Sequence, residues 1–244
     1  PLPGFSAESL EEALGSARRC IASLKRRQDI GASLPAALRD RETFPPSVRF
    51  GIECALLDLA ARARNVSPCS ICSSDPADAI QINALLAGPR ASVLDAAKVA
   101  ATNGYASVKL KVGRAPMEED VETVVEIRRI LGGDIEIRLD ANRAWEFDCA
   151  LAFARQTSDC KIAYIEEPIN EPARLESFAA QSAIPVAVDE TLQEAGWGRL
   201  HAWRQAELLE PFAEVPGDAD PILRAILAAR AWVLKPTLVG MPLS

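Results

Sequence analysis

Residues 107–113, SVKLKVG, are the stretch from which the fold can be worked out. Val108 and Leu110 alternate with Lys109 and Lys111, and apolar residues at every second position predict a β-strand. Both lysine side chains therefore project from one face of that strand, about 7 Å apart. Parallel strands are normally buried on both faces, so two ammonium groups on one face indicate a function rather than simple solvation.

On both sides of this stretch, segments typical of strands alternate with segments typical of helices. The predicted strands are IQINALL (80–86), SVKLKVG (107–113), IEIRLDA (135–141), IAYIEEP (162–168), IPVAVDET (184–191) and AWVLKPT (231–237). The helical segments include MEEDVETVVEIRRILGG (117–133), which is amphipathic and closed by two glycines. Strands that alternate with helices in this way predict a parallel β/α architecture.

Two parallel architectures fit this alternation, an open doubly wound sheet and an eight-stranded (β/α) barrel. No glycine-rich phosphate-binding loop follows the first predicted strand, so the nucleotide-binding form of the open sheet is disfavoured. The positions of the charged residues, described below, favour the barrel.

The N-terminal third of the chain follows a different pattern. Helices are predicted over residues 6–26, which open with a serine cap, and over residues 44–65. A turn-rich segment follows and is typical of a linker. We therefore predict two domains, residues 1–78 and residues 79–244.

The composition disfavours several classes of function. The net charge of −7 argues against binding to nucleic acid or to an anionic membrane, and no apolar run is long enough to cross a bilayer. The six cysteines are scattered, with one C-x-x-C at Cys69 and Cys72, and the one histidine is the distant His201. A structural zinc site would need more ligands, so we expect a reduced, cytoplasmic protein.

Charged residues lie at or near the ends of five successive predicted strands. They are Lys109 and Lys111, Asp140, Glu166, Asp189 and Lys235. The C-terminal ends of the strands of a β/α barrel form one ring, and active sites are built there. Three carboxylates on such a ring suit a hard divalent cation, best Mg²⁺, with Mn²⁺ possible. Asp189 alone could instead be a helix cap, because a helical pattern follows it.

The lysines fit chemistry beside such a cation. Burial, the neighbouring ammonium and the cation all disfavour the charged form of a lysine, so we expect these lysines to lose their protons more readily. A deprotonated lysine can act as a general base near neutral pH. The combination suits removal of a proton next to a carboxylate, with the resulting dianion stabilised by the cation.

Seven segments, in order along the chain, resemble the enolase superfamily, in its muconate-lactonising branch and there most of all the o-succinylbenzoate synthases. They are PLPGFSAESLEEA, PPSVRFGIECALLDL, SVKLKVG, RLDANRAW, YIEEP, PVAVDE and VLKPTLVG. The resemblance implies a (β/α) barrel of the enolase superfamily, with six barrel strands visible and the C-terminal units missing. Residues 1–78 would be part of an α+β capping domain.

The resemblance also implies a metal site. Asp140, Glu166 and Asp189 would be the Mg²⁺ ligands. Asn142 and Glu190 would lie directly behind these ligands and support them.

For the lysines, the resemblance implies three different roles. Lys111 would be the base that later returns the proton to the departing hydroxyl, and Lys109 would help stabilise the enediolate. Lys235 would stabilise the intermediate from the opposite face by its charge and a cation–π contact. The implied reaction is the Mg²⁺-dependent syn dehydration of a small carboxylate, 2-succinyl-6-hydroxy-2,4-cyclohexadiene-1-carboxylate, to o-succinylbenzoate, a step of menaquinone biosynthesis.

Two other functional interpretations stay open. One is a sister enzyme of the same branch, an N-succinylamino acid racemase or a dipeptide epimerase, which would share the metal ligands and the paired lysines. The other is an inactive truncated remnant. Retention of all the charged residues argues against a remnant, because each costs desolvation in a core that no longer needs it. Arg143, beside the third strand, is expected to be an ordinary loop cation.

The resemblance further implies cap strands before residue 1 and two more β/α units after residue 244. A fragment of a longer protein, natural truncation or a completing partner would each account for this. An incomplete barrel exposes strand edges, so we expect self-association. Residues 206–223 are predicted to be an insertion between the fifth and sixth strands.

Overall fold

A computed structural model of the chain describes residues 6–25, 44–206 and 218–239. The chain divides into two compact units, one formed by Pro1–Ile80 with Leu234–Ser244 and the other by Gln81–Val233. The predicted domains, 1–78 and 79–244, stay a prediction. Most of the predicted insertion lies outside the described residues.

Helices and strands alternate through most of the chain. The helices are α1 (Leu10–Lys25), α2 (Pro46–Arg64), α3 (Pro68–Cys72), α4 (Arg90–Thr102), α5 (Met117–Leu131), α6 (Phe147–Gln156), α7 (Leu175–Gln181), α8 (Glu190–Gln205), α9 (Pro221–Ala228) and α10 (Pro236–Val239). The strands are β1 (Ala84–Leu86), β2 (Ser107–Lys111), β3 (Glu136–Asp140), β4 (Ile162–Glu166), β5 (Val186–Val188) and β6 (Ala231–Trp232). None of the helices in the described ranges is both long and apolar enough to cross a membrane.

The first unit contains helices and no strand within its described residues. Its α1 begins with a capping box, in which Ser9 Oγ accepts from the Glu12 backbone N–H and the Ser9 backbone N–H donates to the Glu12 carboxylate. Helix α2 ends at Arg64, next to the predicted end at Asn65, and Asn65 follows it in the left-handed conformation. The predicted linker is wrong in part, because Ser67 caps the short α3 by accepting from the Ser70 N–H at 3.2 Å.

The second unit is built on one six-stranded parallel sheet, whose strands follow the order of the chain from β1 to β6. The predicted parallel β/α architecture is therefore confirmed. The register pairs Lys111 with Asp140 and Asp140 with Glu166, so the charged strand ends stand side by side. Strand β6 is shorter than predicted, because the chain leaves the sheet after Trp232 and Pro236 opens α10.

The two faces of the sheet differ in polarity. Val108 on β2 and Ile137 and Leu139 on β3 are fully buried in the apolar core with the flanking helices. Lys109, Lys111 and Arg138 alternate with these residues, project from the opposite face and are only partly buried. The alternation in the sequence thus separates an apolar face from a face that carries charge.

Candidate active site

Two ammonium groups share one carboxylate oxygen at the carboxyl ends of β2 and β3. Lys109 Nζ lies 3.0 Å and Lys111 Nζ lies 3.1 Å from Asp140 Oδ2. Lys109 Nζ also donates to Glu166 Oε2 at 2.6 Å. Asp140 and Glu166 are almost completely buried. The structure therefore brings together four of the predicted site residues from three neighbouring strands.

Burial and neighbouring charge act on the acid–base properties of this group. Burial favours the neutral form of Lys109, but interactions with Glu166 and Asp140 outweigh it and raise the pKa of the ammonium group. The sequence predicted that this lysine would lose its proton more readily. The protein's own groups shift its pKa in the opposite direction. Burial also raises the pKa of the Glu166 carboxyl to about 7, and the charges of Asp140 and Asp189 add to the effect of burial, against the lowering effect of Lys109.

Asn142 connects Lys111 to Glu190. Lys111 Nζ donates to Asn142 Oδ1 at 2.5 Å, and Asn142 Nδ2 donates to Glu190 Oε1 at 3.0 Å. The Asn142 backbone N–H also donates to Asp140 Oδ1 at 3.2 Å. Both residues predicted to lie behind the carboxylates are thus part of the same hydrogen-bond network, while their roles stay predictions.

Asp189 is buried between β5 and α8. Its backbone carbonyl accepts from the Gln193 N–H at 3.0 Å, and its Oδ1 accepts from Gln193 Nε2 at 2.5 Å. Its charge also acts on Glu166, as described above. The residue therefore makes helix-start contacts and is electrostatically coupled to the carboxylate cluster, so both interpretations made from the sequence stay open.

The donor set fits a hard divalent cation, although the carboxylates are not collected around one point. Within the described ranges, no group of three or more His, Cys, Asp or Glu residues is arranged to hold a metal ion. Glu166 Oε1, however, is buried and finds no hydrogen-bond donor among the described residues, and neither does Glu190 Oε2. Buried carboxylate oxygens without a partner are costly, and all-oxygen ligands suit Mg²⁺.

A buried ion pair beside this cluster was not predicted. Glu167 is fully buried, and its Oε2 accepts from Arg143 Nε at 3.0 Å. Arg143 also donates to both carboxylate oxygens of Glu194 and to Thr191 Oγ1. Burial favours the neutral form of Arg143, but Glu194 and Glu167 outweigh it and raise the pKa of the guanidinium. The expectation of an ordinary loop cation is therefore wrong.

The sequence did contain a signal for Glu167. In YIEEP two acidic residues are adjacent at the end of a strand, so their side chains point to opposite faces. One of them therefore has to enter the helix-covered face, where a buried charge needs a partner.

Lys235 follows β6 by three residues and belongs to the other compact unit, with Leu234–Ser244. The predicted strand AWVLKPT would have placed it on the sheet, and that placement is wrong because β6 ends at Trp232. Its role on the opposite face of the substrate stays a prediction.

Comparison with known proteins gives related sequences over nearly the whole chain. The family described as enolase C-terminal domain-like matches residues 92–229. The o-succinylbenzoate synthase of Vibrio cholerae is 30% identical over 98% of this chain and 60% of that protein. The o-succinylbenzoate synthase of Klebsiella pneumoniae is 31% identical over 98% of this chain and 61% of that protein. The chain thus spans about three-fifths of the length of these relatives.

Solved structures show the same fold. The muconate cycloisomerase of Pseudomonas fluorescens superposes with a TM-score of 0.77 at 24% identity, over 98% of this chain and 62% of that chain. The L-Ala-D/L-Glu epimerase of Bacillus subtilis superposes with a TM-score of 0.72 at 20% identity, over 85% of this chain and 59% of that chain. The parallel sheet and its helices are therefore the (β/α) barrel fold of these enzymes. The chain belongs to the enolase superfamily, in its muconate-lactonising branch.

Proposed function

We propose that this chain carries the active site of a Mg²⁺-dependent carbon–oxygen lyase of the o-succinylbenzoate synthase type. The observation that supports it most directly is the approach of Lys109 and Lys111 to one oxygen of Asp140, beside buried Glu166. The o-succinylbenzoate synthases that match 98% of the chain support the same assignment. The substrate would be the cyclohexadiene carboxylate named above.

In this proposal Lys111 moves the proton. Its ammonium group is held by Asp140 Oδ2 and Asn142 Oδ1, which fix Nζ at the edge of the cluster. Neutral Lys111 takes the proton from the carbon next to the substrate carboxylate. The C–O bond then breaks on the same face, and the proton passes from Lys111 to the departing hydroxyl, which leaves as water.

Lys109 would remain charged during the reaction. Asp140 and Glu166 raise the pKa of this ammonium group, so it keeps its proton near neutral pH. A fixed positive charge at this place stabilises the negative charge that grows on the substrate carboxylate as the carbon loses its proton. Lys235 is proposed to act from the opposite face of the substrate.

Asp140, Glu166 and Asp189 are the residues proposed to hold Mg²⁺. When bound, the cation supplies electrostatic stabilisation of the dianion. Glu166 Oε1 lacks a hydrogen-bond donor in the described residues, which supports its assignment as a metal ligand. Glu190 and Asn142 would hold Lys111 and Asp140 in position through their hydrogen bonds. No disulfide bond joins Cys54, Cys69, Cys72, Cys149 or Cys160, which supports the further proposal of a reducing, cytoplasmic location.

The test is turnover by the purified chain, followed by product absorbance with Mg²⁺ and then with EDTA. We expect turnover that is lost with EDTA and restored by added Mg²⁺. A parallel assay follows exchange of the α-hydrogen of an N-succinylamino acid with deuterated water. Exchange without dehydration would replace the lyase assignment by a racemase or epimerase. Absence of both activities, also from the full native gene product, would contradict the proposed function.

A further inference from the structure

We propose that Glu167 and Arg143 are positioning residues, which lock the ends of β3, β4 and β5 together and so hold in place the strand ends that carry the three proposed metal ligands. The contacts of Glu167 with Arg143, Asp189 and Thr191 are called the strand-end clamp below. The inference rests on the proposed metal-dependent function, because it assigns a purpose to holding these three strand ends in place.

Glu167 is the centre of the clamp. It directly follows Glu166, and its backbone is in the left-handed region (φ 44°). Its Oε1 accepts from the backbone N–H groups of Asp189 at 2.8 Å and of Thr191 at 2.7 Å. Its Oε2 accepts from Thr191 Oγ1 at 2.8 Å and from Arg143 Nε. This fully buried carboxylate therefore has partners on both oxygens, all of them from the neighbouring strand ends.

The contacts on the β5 side fix Asp189. Its N–H and that of Thr191 lie at the start of α8, where backbone donors have no partner within the helix. Glu167 thus binds the backbone of Asp189 directly, while the adjacent Glu166 belongs to the cluster on the other face.

The contacts on the β3 side fix the loop after Asp140. Arg143 reaches Glu167 twice, because its backbone N–H donates to the Glu167 carbonyl at 2.7 Å and its Nε donates to the carboxylate. Asn142 (φ 45°) and Arg143 (φ 61°) are also in the left-handed region. Left-handed residues other than glycine persist only where surrounding contacts hold them, and they are concentrated at functional sites.

Repulsion explains why such a device is needed. Asp140, Glu166 and Asp189 are acidic residues at the ends of adjacent strands. Lys109 and Lys111 offset part of the repulsion between Asp140 and Glu166, and the remaining repulsion tends to separate the three strand ends when no cation is bound. The clamp holds the same three strand ends through groups on the opposite face, where it does not occupy the carboxylates themselves. A role in stability alone would not require contacts that join these three ends.

The test compares two buried threonines. Thr191→Val removes the hydroxyl that bonds Glu167, and Thr157→Val removes a hydroxyl that donates to the Phe153 carbonyl at 2.8 Å. Both threonines are fully buried, but Thr157 follows α6 and lies outside the clamp. Mn²⁺ affinity is measured by electron paramagnetic resonance, amide exchange at Asp189 and Thr191 by NMR, and unfolding by urea without metal. Thr191→Ser and Glu167→Gln complete the set.

We expect Thr191→Val and Glu167→Gln to weaken Mn²⁺ binding by about tenfold or more and to speed exchange at Asp189 and Thr191. Thr191→Ser should restore both properties. Thr157→Val should lower the free energy of unfolding yet leave Mn²⁺ affinity within about twofold, because distant sites act independently.

Equal loss of Mn²⁺ affinity in Thr157→Val and Thr191→Val, or no loss in either, would overturn the clamp. If Glu167→Gln does not fold, the threonine variants decide the matter. Absence of Mn²⁺ binding by the unchanged chain would refute the proposed function instead. Amide exchange would then judge the clamp, because faster exchange confined to the ends of β3, β4 and β5 supports it, whereas a uniform change or none contradicts it.

Discussion

At the scale of single residues, the two lysines of β2 differ in their second partner although both approach Asp140. Lys109 donates to the buried carboxylate of Glu166, whereas Lys111 donates to the neutral amide oxygen of Asn142. Two carboxylates hold the proton on Lys109. This asymmetry supports the proposal that Lys111 is the lysine that exchanges its proton.

Lys111→Ala should therefore reduce turnover by about 10²–10⁴-fold, the range expected for loss of a general acid–base group. Mn²⁺ affinity should change little, because Lys111 is not among the proposed ligands. Both quantities are measured on the same preparation. Lys98→Ala serves as the control, since Lys98 is exposed on α4 and pairs with Asp95. Normal turnover of Lys111→Ala would show that the base is wrongly assigned.

Asp120 gives a pH dependence that is separate from catalysis. Burial raises the pKa of its carboxyl, against the effect of the hydrogen bond from the Gly113 N–H, and the charge of Glu119 adds to the effect of burial. The folded protein then binds more protons than the unfolded chain above the usual pKa of 3.8. The contribution of Asp120 to stability is thus present at lower pH and is lost as pH rises through its folded pKa.

Asp120→Asn cannot titrate at this position. Its free energy of unfolding, relative to the unchanged chain, should increase as pH is raised from about 4 towards 7. Urea unfolding at several pH values measures this difference. A difference that stays constant across the series would contradict the assigned pKa direction.

At the scale of elements, the turn after β2 depends on a glycine. Gly113 has a φ of 78°, and a Cβ placed on it would lie 2.3 Å from the Cβ of Ala144. Ala144 belongs to the loop after β3, so the two loops can approach only because this side chain is absent. Gly104 after α4 has a similar φ of 72° but meets no atom within 4 Å.

The two glycines therefore separate steric clash from backbone strain. Gly104→Ala should cost about 1–2 kcal/mol of stability, which is the penalty of the left-handed conformation. Gly113→Ala should cost about 2–5 kcal/mol, because overpacking adds to that penalty. Urea unfolding of both variants gives the comparison, and equal losses would show that the loop after β3 can move aside.

At the scale of the whole molecule, β1 and β6 are the edges of the described sheet. Near these edges Ile82 is 70%, Leu85 60% and Trp232 41% exposed. Unpaired strand edges beside apolar side chains invite pairing with another chain. We therefore propose that the chain self-associates in solution.

Leu85→Lys should reduce this association, because a charge on an edge strand opposes pairing. The average mass from light scattering after gel filtration should rise with concentration for the unchanged chain and less steeply for Leu85→Lys. Val99→Lys is the matched control, since Val99 is also exposed but lies on α4. A single monomer mass at every concentration would refute the proposal.

The sequence by itself determined the strands, their parallel order and the place where the charged residues meet. The alternation of apolar residues and lysines in SVKLKVG indicates on which face of the sheet each side chain lies, because successive residues of a strand point to opposite sides. Asp140 and Glu166 could be expected to meet, because parallel strands bring their carboxyl ends to one edge. The ends of β1 and β6 were less predictable, since a strand continues only as far as its neighbour pairs with it.

Only the tertiary structure decided which partners each charge has. In the clamp, Arg143 contacts Glu167, 24 positions away in the sequence, and Thr191, 48 positions away. Contacts between residues so far apart cannot be predicted from the spacing of apolar and polar residues. They depend on the left-handed turns after β3 and β4, which are set by the path of the chain. The raised pKa of Lys109 has the same origin, because it results from two carboxylates that neighbouring strands provide.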